Sequence, residues 1–225
     1  MPASTSAPLE PFVASSADGF DGLRLVHLPF VPEIRLHLAD DAIVLRARLE
    51  AQVGPGLTPF WANAWAGGQA LARYVLDHPQ SVAGRRVLDV ASGSGLVAIA
   101  AAKAGAAEVT ANDIDPYALA AVAMNAAANG VTVAVNEGDL LDGDGGDADV
   151  VLAGDAFYDP DLAARMLGFL RRAAAARDVR FLVGDPGRGH LPDRWLTVLT
   201  SYLVRGLGAA EDAELTEVSV FGRAG

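Results

Sequence analysis

Cysteine is absent from the 225 residues. That excludes disulfides, thiolate zinc sites, iron–sulfur clusters and a cysteine nucleophile. Lysine is nearly absent as well, because Lys103 is the only one among 17 basic residues. The arginines are scattered without a dense basic stripe, so no nucleic-acid partner is expected. A net charge of -11 suits solubility and also a partner or substrate that carries positive charge. No apolar run approaches the ~20 residues that cross a bilayer, so no membrane partner is expected. The segment Met1 to Phe20 has acids but no arginine and no apolar stretch, unlike a signal or transit peptide, and a cytoplasmic location is the expectation. The histidines His27, His37, His78 and His190 show no metal-ligand spacing. Ser92 and Ser94 lack the glycine pattern of a nucleophile elbow. The wealth of alanine and arginine beside one lysine points to a GC-rich bacterial genome.

What is present is a chain with 52% hydrophobic residues, enough for one core of useful size. Residues 1–18 read as a disordered tail, residues 19–58 as an N-terminal extension, and residues 59–225 as the main domain. Within the extension, Ile34, Leu36 and Leu38 alternate with polar or small residues, which predicts a short strand. Asp40 to Ala51 suits a helix. A second helix is expected from Trp61 to the residues before Pro79. Then strands and helices alternate. Strands are predicted at Arg86–Ala91, Glu108–Asn112, Val131–Asn136, Asp149–Ala153 and Val179–Val183. Helices are predicted at Leu96–Ala104, from Asp115-Pro116 to about Asn129, and at Leu162–Ala176. Two final strands, Leu196–Val204 and Glu214–Phe221, form a hairpin. The expected fold is α/β: a doubly wound, mostly parallel seven-stranded sheet, Rossmann-like, ending in a β-hairpin.

The turn Val87-Leu88-Asp89-Val90-Ala91-Ser92-Gly93-Ser94-Gly95 joins the first of these strands to its helix. Gly93 and Gly95 let the backbone turn sharply and let a ligand approach the amides of a helix N-terminus. Asp113, about twenty residues on, ends the second strand, where an acid accepts hydrogen bonds from ribose hydroxyls. Gly93-x-Gly95-x-x-Ala98 also fits a dinucleotide fingerprint. An NAD-binding oxidoreductase therefore remains a competing reading of the loop alone. Three features favour S-adenosyl-L-methionine. Asp89 ends the first strand, where a carboxylate attracts the ammonium of a methionine moiety. Asp139 follows the third strand, where this fold contacts an adenine amine. The terminal hairpin is the third feature. Trp61, Gly68, Ala91, Ile114, Leu140 and Gly154 complete the expected donor site.

Chemistry in open α/β sheets sits beyond the carboxyl ends of the strands. After the fourth strand comes Gly154-Asp155-Ala156-Phe157-Tyr158-Asp159, and after the fifth Gly184-Asp185-Pro186-Gly187-Arg188. Aromatics from Phe60 to Trp65 can wall the same cleft. Methyl transfer to an amine needs a neutral nucleophile held close to the donor. Burial against Trp61, Phe157 and Tyr158 would lower an amine's pKa, with cation–π attraction for the incoming ammonium. Asp155 and Tyr158 are the expected catalytic pair. Phe157, Asp159 and Arg188 are the expected substrate contacts.

The motifs Val31-Pro32-Glu33-Ile34, Trp65-Ala66-Gly67-Gly68-Gln69, Asn112-Asp113-Ile114-Asp115-Pro116, Gly154-Asp155 with Phe157-Tyr158-Asp159, and Gly184-Asp185-Pro186-Gly187-Arg188 occur in order. With them the chain resembles the lysine methyltransferases that modify the β-subunit of electron transfer flavoprotein. The resemblance implies that Asp89, Gly93, Asp113 and Asp139 hold the donor. It also implies that Asp155 and Tyr158, an Asp-x-x-Tyr pair, face a target lysine of a protein substrate. The Asn-Asp-Ile-Asp-Pro piece is shared with ribosomal-protein methyltransferases. That activity and small-molecule N-methylation of a nicotinamide-like amine are the alternatives.

Overall fold

A computed structural model describes residues 9, 12, 22–56, 58–191, 195–205 and 215–223. The main sheet is built by alternation of apolar strands and alanine-rich helices. Strands β3 (Arg86–Val90), β4 (Glu108–Asp113), β5 (Ala134–Glu137), β6 (Val150–Gly154) and β7 (Arg180–Asp185) run parallel. The hairpin β8 (Leu196–Arg205) and β9 (Leu215–Arg223) adds two antiparallel strands. The resulting order is β5-β4-β3-β6-β7-β9-β8, seven strands with the reversal between β3 and β6. This is the expected doubly wound sheet with a terminal hairpin. The start of the last predicted strand, Glu214, lies outside the described residues.

Helices α2 (Ala66–Asp77), α3 (Leu96–Lys103) and α4 (Pro116–Ala128) follow the predicted rhythm, as does α5 (Pro160–Ala176). Asp115 caps α4 through Tyr117 N at 2.8 Å, with Pro116 at the first helical position. Asp159 caps α5 through Asp161 N and Leu162 N. Met166, Phe169 and Leu170 line the buried stripe of α5 and pack on β6 and β7 residues such as Val151 and Phe181.

Two boundaries differ from the sequence reading. The second helix does not begin at Trp61. Residues Phe60–Ala62 form a single 3₁₀ turn, Asn63 is extended, and α2 starts at Ala66. The third strand of the sheet begins at Ala134, not Val131, because Val131 N donates to Ala126 O and so still caps α4.

The N-terminal extension forms a hairpin, β1 (Leu23–His27) with β2 (Arg35–Ala39), followed by α1 (Ala42–Val53) capped by Asp41. The β1 strand had no clear sequence signal. Asn125 and Asn129 of α4 bind the β2 backbone at His37 N and Arg35 N. Leu9, Phe12, Leu23, Leu45 and Leu49 share one buried cluster with Trp61, Ala118 and Ala121. Leu9 and Phe12 fall within the segment read as a tail, and both are buried. Most of the rest of that segment lies outside the described residues. The extension therefore packs on the main domain beside Trp61.

Candidate functional site

The carboxyl ends of β3, β4, β6 and β7 open onto one cavity of about 830 Å³, within the range of small-molecule sites. Trp61, Ala91, Gly93, Asp113, Ile114, Asp139, Leu140 and Gly154 all line it. So do Asp155, Tyr158, Asp159 and Arg188. The lining also includes Arg165, Met166 and Leu162 of α5.

The loop after β3 is shaped by its backbone. Ala91 and Gly93 have positive φ, at 53° and 54°. Gly95 also has positive φ, and a Cβ there would meet Val122 of α4 at 3.2 Å. Its role is thus close helix packing rather than lining the cavity. Gly93 N donates to Asp113 Oδ2 at 2.9 Å, and Asp115 N to Asp113 Oδ1 at 3.0 Å. Asp113 therefore braces the loop while facing the cavity. Asn112 ties the neighbouring strand ends together by donating to Asn136 O and Gly138 O.

Asp89 stands below this surface. It is buried, accepts Ser92 Oγ at 2.5 Å and Ala98 N at 3.1 Å, and is not among the cavity-lining residues. Burial pushes its pKa up to about 7, against the lowering effect of those two bonds. Its carboxylate holds the loop to the first turn of α3. Asp139 does line the cavity, with Arg165 Nη1 on Oδ2 at 2.8 Å and Leu141 N on Oδ1 at 3.0 Å. The Arg165 guanidinium holds the Asp139 carboxyl below its usual range. No sequence signal pointed to Arg165, because its partner lies on another element.

The loop after β6 is built differently. Asp155 carries a φ of 55°, unusual for a residue with a Cβ. Its Oδ2 accepts the amides of Gly67 and Gly68, the first turn of α2. Its Oδ1 accepts Arg188 Nη2 at 2.8 Å and Nε at 3.2 Å. Burial raises the Asp155 pKa, while Arg188 and the two amides pull it down. Asp185 holds the next loop by accepting Gly187 N and Arg188 N. Glycine is required here by contact. A Cβ on Gly154 would meet Gly68 Cα at 2.8 Å, and one on Gly184 would run into the Gly67 carbonyl. Gly68 thus serves the seat of α2 on β6, outside the cavity lining.

An aromatic mouth closes the acceptor side. Phe60 lies 5.9 Å from Tyr158 and 6.1 Å from Trp65, centroid to centroid. Trp65 Nε1 donates to Phe60 O at 2.8 Å, and the Arg188 guanidinium lies 5.9 Å from the Trp65 ring centroid. Phe60 and Tyr158 are both about half exposed, at 50% and 49%. The wall expected from Trp61, Phe157 and Tyr158 is therefore Phe60, Trp65 and Tyr158 at its outer edge. Phe157 is fully buried in the core under α5 and does not reach the cavity. Trp61 lines the cavity from within and is 2% exposed.

The residues fit a ligand with a sugar and a flat apolar ring. The cavity offers two acids at strand ends, a glycine where the backbone can be approached, and apolar flanks from Ile114, Leu140 and Leu162. Phosphate is a poor match here, since Asp113 and Asp139 line the space and the lining arginines are bound to acids, Arg165 to Asp139 and Asp142 and Arg188 to Asp155.

The profile of the ribosomal protein L11 methyltransferase (PrmA) family matches residues 70–154, the donor-side half and not the loops after β6 and β7. The electron transfer flavoprotein beta subunit lysine methyltransferase of Xenopus laevis is 38% identical over 198 residues. That match covers 86% of this chain and 80% of the relative. The protein of the same name from Mus musculus is 38% identical, covering 84% and 76%. Among solved structures, the ribosomal protein L11 methylase from Lactobacillus delbrueckii subsp. bulgaricus superposes with a TM-score of 0.50 at 23% identity. It covers 72% of this chain and 81% of that one, a likeness of fold.

Proposed function

The chain belongs to the electron transfer flavoprotein β-subunit lysine methyltransferase family, and from that premise we propose the following chemistry. It is an S-adenosylmethionine-dependent protein-lysine N-methyltransferase whose substrate is the electron transfer flavoprotein β-subunit. The observation that carries this reading is the continuity of one cavity from Asp113 and Asp139 to the aromatic mouth at Phe60, Trp65 and Tyr158.

S-adenosylmethionine would supply a methyl group on a sulfonium: the amine lone pair forms the carbon–nitrogen bond as the carbon–sulfur bond breaks, and S-adenosylhomocysteine leaves as a neutral thioether. Asp113 would hold the ribose hydroxyls through the lone pairs its loop bonds leave open. Asp139, Leu140 and Ile114 would hold the adenine. The loop Ala91–Gly95 would hold the methionine end, with Asp89 fixing that loop from beneath.

On the other side the lysine stem passes between Phe60, Trp65 and Tyr158, which strip water from it. Desolvation favours the neutral amine, the form with a free lone pair. Tyr158 presents its hydroxyl to the nitrogen. Its own pKa is raised, by burial first and then by Asp159 and Asp113, so it remains a phenol that can both donate and accept. Asp155 acts as a positioning residue, because its oxygens hold α2 and Arg188 in place around the amine. Asp159 caps α5 and thereby orients Tyr158. The lysine proton leaves to solvent through the mouth.

The ribosomal-protein alternative draws on the match over residues 70–154, which stops before Asp155, and on ribosomal protein L11 methyltransferases that cover only 37% and 38% of this chain. The test is incubation of the purified β-subunit with methyl-labelled donor, followed by peptide mass spectrometry. Methyllysine on the β-subunit is the expected product. Label on ribosomal protein or on small amines, with none on the β-subunit, would overturn the substrate assignment.

A further inference from the structure

A second cavity, of about 660 Å³, lies at the opposite end of the sheet. Arg85 precedes β3, Arg180 opens β7 and Arg223 ends the antiparallel β9. The three residues therefore stand at one end of the sheet, where the parallel strands begin, and all three line this cavity. They are far apart in sequence, which is why no basic stripe is visible there.

Other arginines of this acidic chain are matched with carboxylates: Arg73 with Glu33 and Asp77, Arg86 with Asp147 and Asp149, Arg165 with Asp139 and Asp142. Among the described residues, Arg85, Arg180 and Arg223 make no ion pair. Arg180 Nη1 reaches only the Ser81 carbonyl, at 3.4 Å. Two acids also line the cavity. Asp149 is held by two nitrogens of Arg86, at 2.9 and 3.1 Å, a guanidinium it shares with Asp147. Asp178 is the other. Three arginines against two carboxylates leave the lining net positive, which suits an anion such as a phosphate monoester.

A polar group is left over at the same place. Ser81 is 4% exposed, lines the cavity, and its Oγ has no hydrogen-bond partner. A buried hydroxyl without a partner costs stability. The other wall is apolar, with Phe181, Leu182 and Leu199. Guanidinium forks bind phosphoryl oxygens in pairs, while an apolar wall takes an organic body.

We propose that this cavity binds a small organic phosphate, with the phosphoryl group on Arg85, Arg180 and Arg223 and the organic part against Leu182 and Leu199. The site is independent of the methyl-transfer cavity and of the protein-lysine reading. In a chain of net charge -11, gathering three arginines without an ion pair among the described residues in one hollow runs against the overall field, and an anion is the ligand that offsets it.

The test uses phenyl phosphate as probe, by calorimetry, with the full chain saturated in S-adenosylhomocysteine to fill the other cavity. The expected result is one saturable site with a Kd at or below about 1 mM. Arg180→Gln weakens it by at least about tenfold, and Arg180→Lys recovers part of the loss. Added salt weakens it too. Phenol does not bind there. Unchanged thermal melting of the variants excludes unfolding as the cause. Non-saturating heats, or equal affinity in wild type and Arg180→Gln, would overturn the proposal. Binding of a poly-glutamate peptide in preference to phenyl phosphate would also overturn it, and would mark the cavity as a contact for acidic protein segments.

Discussion

The loops after β3 and β6 sit on neighbouring strands and each begins with a non-glycine residue at positive φ, Ala91 and Asp155. They are stabilised in opposite ways. After β3, the buried Asp89 binds Ser92 and Ala98, all within one strand–turn–helix unit. After β6, Asp155 binds the amides of Gly67 and Gly68 and the guanidinium of Arg188, which come from two distant segments. The first loop is braced by its own turn and helix. The second is a junction that ties α2, β6 and the β7 loop together. An acid within its own turn can be replaced with limited damage, whereas an acid that joins three segments takes all of them with it.

The most disruptive change is expected at the junction. Asp155→Ala takes the acceptor from two helix amides and from one contact of Arg188, and each buried donor left unsatisfied costs about 1–3 kcal/mol. Denaturant melts should show a loss of that order. Asp89 acts through pH instead. Its native pKa of about 7 lies above the ordinary 3.8, so the native state holds the proton more tightly. The stability it contributes is full below the ordinary value and is lost as pH rises to about 7. Asp89→Asn removes that dependence. The stability difference between wild type and variant should change by up to ~1.4 kcal/mol per pH unit inside that window and be flat above it. A difference that changes only above pH 7 would break the comparison.

Gly67→Ala comes third. The Gly184 carbonyl and Asp155 fill the space its Cβ needs, and overpacking of this kind costs about 1–3 kcal/mol. The smallest effect is expected at the mouth. Phe60→Ala removes a half-exposed ring, so KM for the protein substrate should rise by about tenfold or less, with affinity for S-adenosylhomocysteine unchanged. A loss of donor affinity instead would place Phe60 on the wrong side of the cavity.

The same contrast explains what could be read from the chain. The Gly93-Ser94-Gly95 loop, the acid at Asp113 and the Asp115-Pro116 cap are each contained in a few consecutive residues, and local spacing reveals them. That these strands run parallel follows from their alternation with helices. The environment of Asp155 could not be read in this way, because its partners stand far off at residues 67, 68 and 188. The same is true of Arg165 beside Asp139. Phe157 and Tyr158 are adjacent in an aromatic run, and only the packing of α5 shows that one is core and the other faces the mouth. Asp89 carries the right residue type at a strand end, yet its carboxylate turns under the loop rather than into the cavity.

The most direct test of the account is the kinetics of Asp155→Asn on the electron transfer flavoprotein β-subunit. The amide keeps the size of the side chain but turns a donor toward Gly67, Gly68 or Arg188, all donors themselves. The account predicts that kcat for lysine methylation falls by at least about a hundredfold, while S-adenosylhomocysteine binds with wild-type affinity. Methylation of the β-subunit at the wild-type rate by this variant would contradict it.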